Sequence, residues 1–139
     1  MTDMDPPTTL EGAAPTLIVE TVVLRFLARV IHADGVVDPR EVKLLLDVAA
    51  GLEMGEEEAR RILEDELNRR SDVAALARQI PDPDERMTVF SLGCAMVYAG
   101  GRVGDDEQTI LDAFAHGAGI DATAAAEILA DAAREAGRA

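Results

Sequence analysis

Apolar residues recur at helical spacing along the chain from Thr16 onward. In the first such segment, Leu17, Leu24, Leu27 and Ile31 fall on one stripe, which is typical of an amphipathic helix. Each later segment of this kind is bounded by Gly, Pro or acidic residues that favour the start or end of a helix. No segment has the alternating pattern that is typical of a strand. The pattern therefore predicts an all-α fold of about seven helices.

The boundaries of the predicted helices follow from local capping signals. The segment Asp38-Pro39-Arg40-Glu41 combines an N-cap residue, a proline at the first helical position and an acidic residue at N3, and Asp82 begins the same pattern again. The first predicted helix ends at Asp34-Gly35, the second begins at Asp38 and ends at Gly51 or Gly55, and the third begins at about Glu56. The fourth is short, capped by Ser71 and stopped by Pro81, and the fifth runs from Asp82 to about Ala99. The sixth begins at Asp105 or Asp106, and the seventh follows Asp121.

The same pattern predicts which helix surfaces are buried. The segment from Met87 to Tyr98 is apolar on almost every side, so we expect this helix to be the central buried element. In the third helix, we expect Ala59, Ile62, Leu63 and Leu67 to face inward.

The length of 139 residues is typical of one domain. Residues 1–15 contain prolines and acidic residues and almost no periodic apolar signal. They are interpreted as a flexible N-terminal tail, and residues 16–139 as a single helical domain.

The chain contains an internal repeat with a period of 66 residues. The shift aligns apolar and acidic positions of two halves, namely Ala33 with Ala99, Val37 with Val103, Glu41 with Glu107, and Leu45 with Leu111. Two copies of one helical unit, packed as pseudo-symmetric halves, explain this most simply. The copies differ in their loops, because Asp34 and Asp38 correspond to Gly100 and Gly104.

The loop from Asp34 to Glu41 is the main candidate for chemistry. It matches the second half of an EF-hand calcium loop, but the first half fails because Val30 and His32 stand where two ligands are required. The carboxylates of Asp34, Asp38 and Glu41 form a candidate site for a divalent cation such as Ca²⁺. The alternative needs no metal: Asp38 and Glu41 form a capping box, and Asp34 marks a helix end.

Composition and charge exclude several classes of function. The chain has 27 acidic and 13 basic residues, a net charge of −14, which would repel the phosphates of a nucleic acid. Its longest apolar stretches are shorter than the roughly 20 residues that span a bilayer, so direct membrane insertion is not expected. One cysteine and no secretory signal favour a cytoplasmic location.

No residue pattern indicates catalysis. Cys94 lies within an apolar helical segment without a basic neighbour, as expected of a small buried hydrophobe. His32 and His116 stand near helix ends without a partner at zinc-ligand spacing, and an interaction with the helix dipole is the simpler role. Because known catalytic and phosphate-binding motifs are also missing, we expect that the protein is not an enzyme.

The segment Ala33-Asp34-Gly35-Val36-Val37-Asp38-Pro39-Arg40-Glu41, repeated in weaker form at residues 99–107, resembles the tellurite-resistance TerB-like family. The resemblance covers about residues 17–136. It implies an all-helical fold of two pseudo-symmetric halves, a role in tellurite and chemical-stress resistance, divalent-cation binding at acidic positions, and a membrane-associated partner. Those positions are Asp34, Asp38 and Glu41 in the first repeat and Glu107 in the second, while Gly100 departs from the family's pattern.

These observations lead to one functional expectation and its alternatives. The expectation is a non-enzymatic helical interaction module in stress response, modulated by a divalent cation and acting on a protein partner, as a monomer or weak dimer. The alternatives are a calcium-type sensor and a structural or co-chaperone-like adaptor that uses its acidic surface.

Overall fold

The computed structural model describes residues 19–101 and 103–138, with the side chain of residue 138 left out. The tail predicted for residues 1–15 lies outside these residues. These residues form seven helices and contain no strand. The helices are α1 over residues 19–31 of the described part, α2 over Pro39–Gly51, α3 over Glu56–Arg69, α4 over Val73–Arg78, α5 over Pro83–Ala99, α6 over Asp105–Ala118 and α7 over Ala122–Arg138. The prediction of an all-α fold is therefore confirmed.

Most helix starts are set by aspartate caps. Asp38 and Asp82 each accept a hydrogen bond from the backbone N–H two residues later, and Asp121 accepts one from the N–H of Ala124, as predicted. The predicted cap of the short helix is wrong by one residue. Asp72 caps α4, because the Ser71 hydroxyl is already engaged by a buried glutamate.

The helix boundaries repeat with the period found in the sequence. The starts of α2 and α6 are 66 residues apart, and so are the starts of α3 and α7. The short helix α4 lies between the two sets and packs against α6. That the two halves also superpose in space stays a prediction.

The core is centred on α1 and α5. Helix α5 contacts α2, α6 and α7, as expected of a central element. However, α1 is buried more completely, because none of residues 19–31 is exposed, whereas Ser91 and Ala95 of α5 are. Phe26 of α1 stacks on Phe114 of α6 with ring centroids 4.1 Å apart. Gly93 permits this arrangement, since a Cβ atom there would lie 2.5 Å from the Phe26 ring.

The prediction that Leu67 faces inward is wrong. Its residue surface is 57% exposed, while Ala59, Ile62 and Leu63 of the same helix are buried as predicted. The reason is the buried carboxylate of Glu66, which takes the inward position beside Leu67. Helical periodicity identifies apolar residues, but it cannot show that a charged neighbour occupies the core position.

Candidate functional site

Two interhelical loops meet at one end of the bundle. The α1–α2 loop carries Gly35, and the α5–α6 loop carries Gly101, both with the positive φ that favours glycine. A guanidinium nitrogen of Arg40, at the start of α2, donates a hydrogen bond to the carbonyl of Gly100 over 2.9 Å. This bond ties the first loop to the second.

Four carboxyl groups gather at this loop junction, and we call them the carboxylate cluster: Asp34, Asp38, Glu41 and Glu107. The charges of Asp34, Asp38 and Glu107 all act on Glu41, and Asp34 lies within hydrogen-bonding reach of Glu107. The structure thus brings together all three residues predicted as a candidate cation site and adds a fourth from the second repeat.

Two members of the cluster have local structural roles. Asp38 accepts hydrogen bonds from the backbone N–H of Arg40 over 2.8 Å and from its guanidinium group, and these bonds lower the pKa of Asp38. Asp34 accepts a hydrogen bond from the N–H of Val36 over 2.9 Å, which closes a tight turn. The capping interpretation is therefore confirmed for Asp38.

Glu41 is the member that capping does not explain. Its residue surface is 6% exposed, and among the described residues no hydrogen bond to its carboxylate is found. The predicted capping box would require Glu41 to accept a bond from the N–H of Asp38, and the described contacts do not include it. Burial first, and then the charges of Asp38, Glu107 and Asp34, raise the pKa of Glu41 to about 7.

A glycine of the second loop provides the space for this side chain. A Cβ atom at Gly100 would lie 2.5 Å from the Oε2 atom of Glu41, so a larger residue at that position would displace the carboxylate. The glycine that replaces an acidic residue in the second repeat therefore has a physical role. Because Gly100 has no side chain, it leaves room for the carboxylate of Glu41.

Glu107 occupies the equivalent position in α6 and is partly satisfied. Its Oε1 atom accepts a hydrogen bond from the N–H of Gly104 over 3.0 Å, and its residue surface is 7% exposed. Burial, opposed by backbone hydrogen bonds and reinforced by the charge of Asp34, raises the pKa of Glu107. Sequence reasoning assigned Glu107 to a separate, second loop, although the internal repeat was a signal that the two loops meet.

A third buried glutamate shows how the chain satisfies such a group where its role is structural. Glu66 accepts hydrogen bonds from Arg25 over 2.6 Å and from the N–H and hydroxyl of Ser71. Burial alone would raise the pKa of Glu66, but these hydrogen bonds and the charge of Arg25 outweigh it, and the pKa is lowered. The contrast with Glu41 shows that burial of a glutamate in this fold does not by itself leave it unpaired.

The carboxylate cluster is not a completed metal site. Within residues 19–101 and 103–138, no three His, Cys, Asp or Glu side chains are arranged so as to hold a metal ion. The divalent-cation site proposed for Asp34, Asp38 and Glu41 stays a prediction, and cation binding would require these oxygens to move closer together.

The remaining candidate residues have structural positions. The His32 ring shares a hydrogen bond of 2.7 Å with the carbonyl of Leu63 and so ties α1 to α3, whereas an interaction with the dipole of its own helix had been expected. His116 lies exposed in the last turn of α6. Cys94 is fully buried, and burial raises the pKa of its thiol to about 12, which leaves it a poor nucleophile.

No helix of the described chain is both long and apolar enough to cross a membrane.

Fold and site together define an acidic, all-helical protein with a carboxylate cluster between two interhelical loops. The chain matches the family described as "Protein of unknown function (DUF533)" over residues 5–132. It therefore belongs to that family. No similar protein was found among curated proteins or among solved structures.

The resemblance to the tellurite-resistance TerB-like family is wrong, since the family that matches is a different one. The residues that carried the resemblance have local physical roles: Gly35 adopts a positive φ, and Asp38 caps α2. Such a helix–loop–helix signal is not specific to one family. The correction also removes the support for a role in tellurite or chemical-stress resistance.

Proposed function

We propose that this protein is a non-enzymatic helical interaction module whose loop surface responds to a divalent cation at the carboxylate cluster. The observation that carries the proposal is the carboxylate of Glu41, a residue that is 6% exposed, to which no hydrogen bond is found among the described residues. An ionised group in that position is costly unless positive charge is supplied.

The charge of Arg40 offsets a part of this cost, and two further sources of positive charge can relieve the rest. A proton binds Glu41 at and below its raised pKa, and a divalent cation competes with the proton above it. Carboxylate and carbonyl oxygens are the ligands that Ca²⁺ and Mg²⁺ prefer. Since the oxygens are not arranged as a finished site, we expect weak binding, with a dissociation constant on the order of 0.1–1 mM.

Cation binding at the carboxylate cluster would change the exposed surface of the α1–α2 loop. Val36 and Val37 lie between two members of the cluster, Asp34 and Asp38, and they are 67% and 47% exposed. Exposed aliphatic residues flanked by carboxylates fit a partner segment that combines an apolar side chain with basic residues. A cation that draws Asp34 and Glu41 together would change the position of these valines.

The experiment is a set of thermal melts of the full chain with a chelator and with millimolar Ca²⁺, Mg²⁺ or Mn²⁺. At about pH 8, above the raised pKa of Glu41, a cation that binds the folded state raises the melting temperature. At about pH 5.5 the effect shrinks because Glu41 holds a proton. Absence of any cation-dependent shift at the higher pH contradicts the proposal.

Matched variants separate this site from general charge screening. Glu41→Gln keeps the shape of the side chain and removes the charge, so it should abolish the cation response. Glu57→Gln, in the exposed first turn of α3, should leave the response unchanged. If an Arg40→Gln variant gains a cation response that the wild type lacks, then the guanidinium group of Arg40, whose charge acts on Glu41, neutralises the cluster instead of a cation, and the proposal fails.

A further inference from the structure

A second pocket lies on the other side of the α1–α2 loop, between the end of α1, the end of α3 and the start of α6. It has a volume of about 410 Å³, within the range of small-molecule sites. Its charged lining consists of two arginines, Arg29 and Arg70, and two carboxylates, Glu66 and Asp106, and its apolar lining includes Leu67 and Ile110. None of the four members of the carboxylate cluster lines it.

Arg29 is an arginine with unused hydrogen-bonding capacity. Its Nε atom donates to the carbonyl of Ser71 over 3.1 Å, and no partner among the described residues is found for its two terminal nitrogens. Arg25, one turn earlier on the same helix, is paired with Asp65 and Glu66. The charge of Glu66, on the same pocket wall, acts on Arg29, but its carboxylate accepts its hydrogen bonds from Arg25 and Ser71. The terminal nitrogens of Arg29 therefore have no hydrogen-bond acceptor among the described residues and can donate to a bound anion.

Arg70 adds a second positive charge to the same wall. It ends α3 in a left-handed conformation, with φ of 49°, and lines the pocket with Arg29. Burial first, and then the charge of Arg70, lower the pKa of Arg29, although the charges of Glu66 and Asp72 oppose this shift. Two guanidinium groups that repel each other are stabilised together by one anion between them, and their planar forks suit a carboxylate.

Asp106 limits the charge of the ligand. It stands in the first turn of α6 and lines the pocket, so it repels multiply charged anions such as phosphate. The net charge of −14 acts in the same direction at long range. Leu67 and Ile110 offer apolar surface to the body of a ligand.

We propose that this pocket binds a small organic monocarboxylate with an apolar body, held by Arg29 and Arg70 and packed against Leu67 and Ile110. The site is separate from the cation response proposed above, and its test uses different variants and a different ligand.

The test is an NMR titration of the ¹⁵N-labelled full chain with benzoate, with benzamide as a neutral analogue and inorganic phosphate as a multiply charged anion. We expect benzoate to shift amide signals from the ends of α1 and α3 and the start of α6, and to bind more tightly than both controls. Arg29→Gln should weaken benzoate binding by about tenfold or more, because a charge-assisted hydrogen bond is lost. Arg60→Gln, on the exposed face of α3, should have no effect.

A gain-of-binding variant excludes damage to the fold as the explanation. Asp106→Asn removes the opposing charge and should tighten benzoate binding and admit phosphate. The proposal is overturned if benzoate causes no shifts around the pocket, if benzamide binds equally well, if Arg29→Gln and Arg60→Gln bind alike, or if Asp106→Asn weakens binding.

Discussion

Three buried glutamates show how residues of one type acquire different properties in one fold. Glu66, 1% exposed, is held by Arg25 and Ser71 and remains ionised, so it acts as a structural link. Glu107 receives one backbone hydrogen bond. Glu41 receives none from the described residues and lies among other carboxylates. The difference comes from the donors that surround each carboxylate.

The raised pKa of Glu41 predicts a specific dependence of stability on pH. The folded pKa of about 7 exceeds the ordinary value near 4.3, so the folded state binds the proton more tightly. The stabilising contribution is complete below about pH 4.3 and is lost as pH rises to about 7. The Glu41→Gln variant has no such step and should be more stable than wild type above that pH by roughly 1–3 kcal/mol.

Chemical denaturation of both proteins across this pH range measures the difference. The difference reports Glu41 together with its coupling to the cluster, because the charges of Asp38 and Glu107 act on Glu41. A Glu41→Gln variant that is less stable than wild type above neutral pH would mean that the ionised carboxylate has a favourable partner.

Local capping residues determine where the helices begin, whereas packing between helices determines which of their residues are buried. The caps at Asp38, Asp82 and Asp121 placed three helix starts correctly, because each cap depends on only a few neighbouring residues. The exposure of Leu67 and the near-complete burial of α1 depend on contacts between distant segments. Arg25 and Arg29 gave α1 a polar appearance, although their charged groups reach out to Glu66 and Ser71.

Close packing of α4 against α6 predicts a sensitive glycine. A Cβ atom at Gly117 would collide with the backbone of Ala74, and backbone cannot move aside as a flexible side chain can. We expect Gly117→Ala to lower the free energy of unfolding by about 1–3 kcal/mol or more.

Gly51, in the last turn of α2, is the matched control, because a Cβ atom there would meet no atom within 4 Å. Gly51→Ala should be neutral or stabilising by up to about 1 kcal/mol. Urea denaturation of the two variants tests both statements, and equal effects would show that the α4–α6 packing is not as close as described.

At the scale of the molecule, the internal repeat explains why the carboxylate cluster exists. The α1–α2 and α5–α6 loops, which correspond in the two halves, meet. Glu41 and Glu107 are 66 residues apart in sequence and therefore lie at the same loop junction. The candidate set of Asp34, Asp38 and Glu41 could be found from the sequence because these residues share one loop. The addition of Glu107 and the space at Gly100 could not be found in that way, because they depend on how the halves pack.

The net charge of −14 predicts how the module associates. A peptide with Lys and Arg around an aliphatic centre should bind at the α1–α2 loop, with an association rate that falls as ionic strength rises. Replacing Val36 and Val37 together by Ser should weaken the binding without changing its salt dependence. Stopped-flow binding measures both effects, and a rate that does not change with salt would contradict the electrostatic part of the proposal.

The competition between a proton and a cation at Glu41 can be measured by an NMR titration of its side-chain carboxyl carbon in the full chain, with a chelator and then with millimolar Ca²⁺ or Mg²⁺. We expect a titration midpoint of about 7 with the chelator and a lower midpoint with the cation, because the cation competes with the proton. A midpoint near the ordinary value of about 4.3, unchanged by either cation, would contradict it.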